Sequence, residues 1–280
     1  MHKKLFLLLF VITGFVIEVS AQQSLSQLEV IYKQIMKHKP NDPDGVVDIN
    51  FMMLSIGSTS AIAQDYAAYQ TDSVKAIENA DQKDIQKYID QEMGAAFYFD
   101  SKVVQNLENQ TLTVYDVIIP ERFFYTESFM SEWQLVDGNK DVAGYNCSKA
   151  TINYGGRHWI VWYTEKLPLP FGPWKLAGLP GLILSAEDES GEIAFELAEL
   201  RTGKSPLPII EKDKRSIKTN RDAFVERKNE VMKNPIANLN TGGLSQVTIY
   251  KRDDGSKVMT INGDVVLRIN PNGYIPIEKK

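Results

Sequence analysis

The sequence predicts an α+β protein, mainly a curved antiparallel sheet with a few helices, and three observations lead there. Between about residues 95 and 200, short runs rich in Val, Ile, Thr, Tyr, Phe and Trp alternate with turn signals built on Gly, Asn and Asp. Only residues 73–92 and 220–233 read as helices. Near the C-terminus, residues 246–252, 257–261 and 264–269 form short strands, joined by Asp253-Asp254-Gly255-Ser256 and by Asn262-Gly263, both hairpin signals.

Composition narrows the function before any motif does. The 280 residues are 43% hydrophobic and 24% charged, as in an ordinary globular protein. One Cys cannot form an internal disulfide, a CxxC redox pair or a thiolate zinc site. Three His leave little material for a His-built metal centre, and a net charge of −5 argues against a nucleic-acid binder. No cofactor is expected, and the shortage of His and Cys weighs against an enzyme.

Residues 1–21 read as a secretory signal peptide. Lys3 and Lys4 precede an apolar run from Leu5 to Ile17, and Val19-Ser20-Ala21 offers small or modest residues for cleavage before Gln22. Glu18 interrupts the run too early for a membrane span of about 20 residues. The expected mature chain has no transmembrane anchor and works outside the cytoplasm: periplasmic, outer-membrane associated or secreted. A main domain over 22–202 and a C-terminal extension over 203–280, packed on it, complete the expected organisation.

The elements follow in order. Residues 27–36 and 46–57 read as a hairpin whose loop holds Asn41-Asp42-Pro43-Asp44-Gly45. Residues 73–92 place Val74, Ile77, Ile85, Tyr88 and Ile89 at roughly helical spacing, with a polar break near 80–84. Strands are expected at 97–99, 103–106 and 111–119, the last ended by Pro120, and Asp137-Gly138-Asn139 reads as a turn. Residues 142–153 and 157–164 form the clearest hairpin. Its second strand carries Trp159, Val161 and Tyr163 on one face and His158, Ile160 and Trp162 on the other, which predicts burial on both sides. Residues 182–187 and 192–200 form another hairpin. A linker follows at 203–213, then a helix ended by Asn234-Pro235.

Residues 167–184, LPLPFGPWKLAGLPGLIL, pack four Pro and three Gly among apolar residues. Pro fixes φ and Gly permits positive φ, so the stretch is a shaped, non-repetitive backbone. An apolar loop is either a rigid corner plugging the core or the wall of a site for an apolar ligand or partner. Trp133, Trp159, Trp162 and Trp174 converge on the same region. A binding cleft there would be lined by Trp159, Trp162, Tyr163, Trp174, Leu179 and Leu182.

Other candidates have blander readings. Cys147 reads as a small buried hydrophobe. A Cys147–His158 dyad across the predicted hairpin lacks an orienting third group. His158 reads as a packing or edge residue, and His38, between two lysines, as exposed. Glu187-Asp188-Glu189 and Asp253-Asp254 are acids at turns. Met52-Met53 reads as core.

Gly178-Leu179-Pro180-Gly181-Leu182-Ile183 resembles the signature of the GLPGLI family of exported proteins. The segment from Val142 to Ala150, with Ala143-Gly144-Tyr145 and Cys147, resembles that family's I-A-G-Y-x-C-x-K-A stretch. Gly156-Arg157 with Trp162-Tyr163-Thr164, then Pro168 with Gly172-Pro173, follow in the family's order, and Trp133 sits where an aromatic precedes the cysteine strand. The likeness covers about 130–185. It implies an exported envelope or surface protein and no particular activity. A weaker, fold-level similarity is to lipoprotein-carrier and sigma-regulator domains, where a curved sheet wraps helices and holds acyl chains. The expected function is therefore non-enzymatic binding of an apolar ligand (acyl chain or peptide) or of an envelope protein. Alternatives are an accessory of an outer-membrane transport or secretion system, and a secreted hydrolase.

Overall fold

The structure, a computed structural model, describes residues 26–77, 79–94, 101–119, 121–203, 216–235 and 246–279. The expected signal peptide, the strand at 97–99, Pro120 and the linker after residue 203 lie outside the described residues. The chain runs β1 (Leu28–Lys37), β2 (Val47–Ile56), β3 (Ser60–Asp65), α1 (Tyr66–Lys75), α2 (Gln82–Gly94), β4 (Lys102–Asn106), β5 (Thr111–Ile118) and β6 (Glu121–Ser128). It continues through β7 (Gln134–Val142), β8 (Tyr145–Tyr154), β9 (Arg157–Thr164), β10 (Leu182–Asp188), β11 (Ile193–Thr202) and β12 (Ile217–Lys218). Helix α3 (Arg221–Lys233) and strands β13 (Val247–Lys251), β14 (Lys257–Ile261) and β15 (Asp264–Ile269) complete it.

Twelve strands form one sheet in the order β12-β6-β5-β4-β3-β2-β1-β11-β10-β9-β8-β7, and β13-β14-β15 form a second. Pairing is antiparallel except for the two-residue parallel contact of β12 with β6. The protein is thus mainly β, which corrects the α+β expectation. Most consecutive strands pair directly through short connections, so little chain is left for helices.

Several local readings change. Helix α1 starts at Tyr66, earlier than expected, because the Asp65 side chain accepts a hydrogen bond from the Ala68 amide as its N-cap. The polar break separates α1 from α2. Strand β3 was not expected. The Asp137-Gly138-Asn139 turn is instead a bulge inside β7, between Val136 and Asn139. Strand β9 is buried on one face only: Trp159, Val161 and Tyr163 point inward, while Ile160 and Trp162 stay half-exposed.

The large sheet curls almost back on itself. β6 and β8 are nine positions apart in the strand order, about 43 Å if the sheet were flat. Yet the Tyr154 hydroxyl of β8 donates to Glu127 of β6 at 2.7 Å. The link from β6 to β7, residues 129–133, joins opposite ends of the sheet and spans at most about 22 Å. The main apolar cluster fills the trough this curl creates, from Val30 and Tyr32 of β1 to Leu112 and Val114 of β5 and Trp159 and Val161 of β9. A smaller cluster of Ile31, Met53 and Tyr69 lies on the outer face, where α1 packs. Among the described residues no helix is long and apolar enough to cross a membrane.

Candidate functional site

One half of the trough is filled by the loop between β9 and β10, residues 165–181. It folds on itself through backbone bonds from Gly178 to the Pro170 carbonyl and from Leu176 to the Pro173 carbonyl, both at 3.0 Å. Gly178 has φ of +102°, and a Cβ there would stand 2.7 Å from the Met130 carbonyl oxygen. A Cβ at Gly181 would collide with the Thr164 carbonyl. The glycines of the motif therefore let backbone meet backbone inside the core. Trp174 sits at φ +53°, a left-handed conformation that a bulky residue holds only when its surroundings impose it. They do: Trp159 lies 5.7 Å away, Tyr154 5.6 Å, and the Gln105 amide donates to the Trp174 carbonyl at 2.9 Å.

This placement separates the six expected cleft residues. Trp159, Tyr163, Leu179 and Leu182 are core, with no exposed surface to offer. Trp162 stands half-exposed on the outer face, with Lys140 and Lys149 near its ring. Trp174 alone of the six also lines a cavity, described below. The apolar loop is a plug because a curled sheet of this width has an interior that its own side chains do not fill.

Lys175 follows Trp174 and is fully buried. Its ammonium meets Glu127 at 2.7 Å and Glu278, and sits 4.9–5.3 Å from the ring centres of Tyr154, Trp174 and Tyr125. Arg221, the first residue of α3, reaches Glu278 at 2.8 Å. Burial, then Glu278 and Glu127, pushes both tyrosine hydroxyls far above their usual range. Tyr154 thus stays a donor to Glu127. Two cations face two carboxylates, so the cluster ties the 165–181 loop, β6, α3 and the C-terminal segment together.

The C-terminal segment, residues 270–279, is clipped across the trough. Arg157 at the β8–β9 turn donates to the carbonyls of Pro276 at 2.5 Å and Ile277 at 3.0 Å, and pairs with Asp188 at 2.6 Å and Glu192 at 2.9 Å. Lys279 bonds the Gly155 carbonyl through its amide and Glu192 through its side chain, each at 2.7 Å. Burial pushes the Glu192 carboxyl up, but hydrogen bonds from Lys279 and Arg157 outweigh it and hold it below the usual range.

The other half of the trough holds a cavity of about 260 Å³ between β1, β5, β6, α3 and this C-terminal segment. Met36, Val114, Phe224, Met232, Ile275 and Ile277 supply apolar wall. Gln34 lines it from β1, and Asp116, bonded to Ser101 at 2.5 Å and to Lys228 at 2.7 Å, lines it from β5. Lys233 and Gly273, both exposed, border it and mark its mouth. The volume lies just below the roughly 300–1,000 Å³ usual for ligand sites.

The remaining candidates resolve simply. Cys147 is buried, and burial followed by the nearby Asp141 charge pushes its thiol up. His158 pairs with Asn153 across the β8–β9 ladder, and Cys147 lies six residues further along β8, about 20 Å away, so no dyad forms. His38 is not exposed as expected: it bonds Asp48 at 2.6 Å, and Asn270 bonds the same carboxylate at 2.5 Å. Asp188 is more than a turn acid, being a buried partner of Arg157. Asp254 caps its turn through Ser256. Among the described residues no group of three His, Cys, Asp or Glu is placed to hold a metal.

Sequence reasoning missed Lys175, Arg157 and Gln34. A single Lys inside an apolar Pro/Gly run signals a buried, partnered charge. Gln34 carries a subtler signal, a polar residue on the strand face shared by Val30, Tyr32 and Met36.

The class these features define is a large, open, curled antiparallel sheet with a plugged half and a roofed, cavity-bearing half. No family model and no curated protein matches the sequence. Among solved structures, PNGF-II in two crystal forms is similar, at TM-scores of 0.49 and 0.47 and 14% identity. The match covers 83% and 84% of this chain and 40% of PNGF-II, so this chain spans about two fifths of that protein's length.

Proposed function

We propose that this chain is an exported envelope protein of the GLPGLI type that binds a small apolar or amphiphilic ligand in the cavity beneath α3, without transforming it. The carrying observation is the cavity itself: about 260 Å³ of space with apolar walls, inside a sheet whose other half is packed solid. An empty apolar space costs stability, so a protein that keeps one gains from what fills it. Its two carboxylates, Asp116 and Glu278, are each paired with a lysine, which favours binding over acid–base chemistry.

Native mass spectrometry of protein isolated from its own envelope tests the reading. The expected result is a retained small-molecule mass, lost in a Val114→Phe variant whose circular dichroism is unchanged. A bare protein mass from the native source would refute it.

A further inference from the structure

The polar contents of the cavity identify the ligand's chemistry more closely, resting on the binding role just proposed. Gln34 is fully buried on β1 and lines the cavity. Neither its Nε2 nor its Oε1 has a hydrogen-bond partner. A buried carboxamide left so is costly, and such groups are nearly always satisfied. The charged groups beside it are not its partners. Asp116 is held by Lys228 and Ser101, Glu278 by Lys175 and Arg221, and Arg268 is itself engaged.

We infer that the cavity's ligand carries an uncharged amide on an apolar group, and that Gln34 reads that amide with both ends of its own. An amide presents a donor and an acceptor side by side, matching Oε1 and Nε2 together. A carboxylate offers acceptors only and would leave Oε1 unpaired. A single hydroxyl reaches both amide atoms poorly, since hydrogen bonds weaken steeply off line. The apolar part then lies against Val114, Phe224 and Met232, towards the mouth at Lys233. Such an amide comes either from a fatty primary amide or from a hydrophobic peptide end.

The test is calorimetric titration of the whole chain with hexanamide, N-acetylleucinamide, hexanol and hexanoate, repeated on Gln34→Met. The variant keeps the side chain's length and removes only its polar atoms. At least one amide is expected to bind about tenfold or more tighter than hexanol, the gain of two buried hydrogen bonds. In Gln34→Met that preference disappears while hexanol binding persists. Which amide wins distinguishes the fatty from the peptide source. Hexanol or hexanoate binding as tightly as the amides, or a preference surviving in Gln34→Met, overturns the amide assignment and leaves the apolar cavity standing. No binding by any probe overturns both readings.

Discussion

The two halves of the trough solve the same problem in opposite ways. Under β8, β9 and β10 the interior is filled by the 165–181 loop, with Trp174 and Lys175 locked among rings and carboxylates. Under β1, β5 and β6 it is roofed by α3 and the C-terminal segment, and space remains. In the first half the buried Gln105 amide is satisfied, bonding the carbonyls of Gly172 at 2.7 Å and Trp174 at 2.9 Å. In the second, Gln34 has no partner. Two glutamines on the same sheet face thus mark the difference between structure and site: one closes a loop, the other is left open for something outside the chain.

Mutations should separate the halves by sign. The largest effect is expected at the plug. Lys175→Ala leaves buried Glu278 and half-buried Glu127 with less counter-charge and should cost about 3–5 kcal/mol, read from urea unfolding. A cost under about 1 kcal/mol would erase the claim that the cluster holds the fold. Replacing Gln34 with Met in the unliganded protein should do the reverse and raise stability by about 1–3 kcal/mol, since it removes an unsatisfied buried amide. A destabilised Gln34→Met would mean that the amide has a structural task after all.

A smaller effect concerns the strap that joins the halves. The Glu192 carboxyl is held below its usual value of about 4.3 in the folded protein. Its contribution is therefore complete above that value and is lost as pH falls through the lower folded value. Limited proteolysis of residues 270–279 should accelerate only in that acid window, and a Glu192→Gln variant should cleave faster at neutral pH. The smallest expected signal is at Cys147. Its buried, upward-shifted thiol should react with a disulfide reagent at pH 8 far more slowly in the native protein than in denaturant. Equal rates would place Cys147 at the surface of the plug half.

Much of the strand pattern was legible because period-2 alternation and turn chemistry act over a few residues. The 142–164 and 182–200 hairpins and the helix before Asn234-Pro235 all lie close to where the sequence puts them. The site was less so. The Trp, Pro and Gly residues that stand out in the sequence belong to the packed half, because large aromatics and special backbone shapes serve dense packing as readily as binding. Of them only Trp174 reaches the cavity. The alternation of residues 30–36 puts Gln34 on the apolar face with Val30, Tyr32 and Met36, but nothing local says whether a partner meets it there.

By itself the sequence determined most of the strands, their antiparallel hairpins and the apolar loop, all consequences of residue type and short-range spacing. Tertiary structure alone decided where that loop goes and what it leaves open. Only the curl of the sheet brings Glu127, Tyr154 and Glu278 around Lys175, residues up to 151 positions apart in sequence. Only the seating of α3 and residues 270–279 across β1 and β5 turns one strand glutamine into the unpaired floor of a cavity. Pairing between neighbours in sequence is set by local geometry. Whether a buried polar group is satisfied depends on which distant segment arrives opposite it.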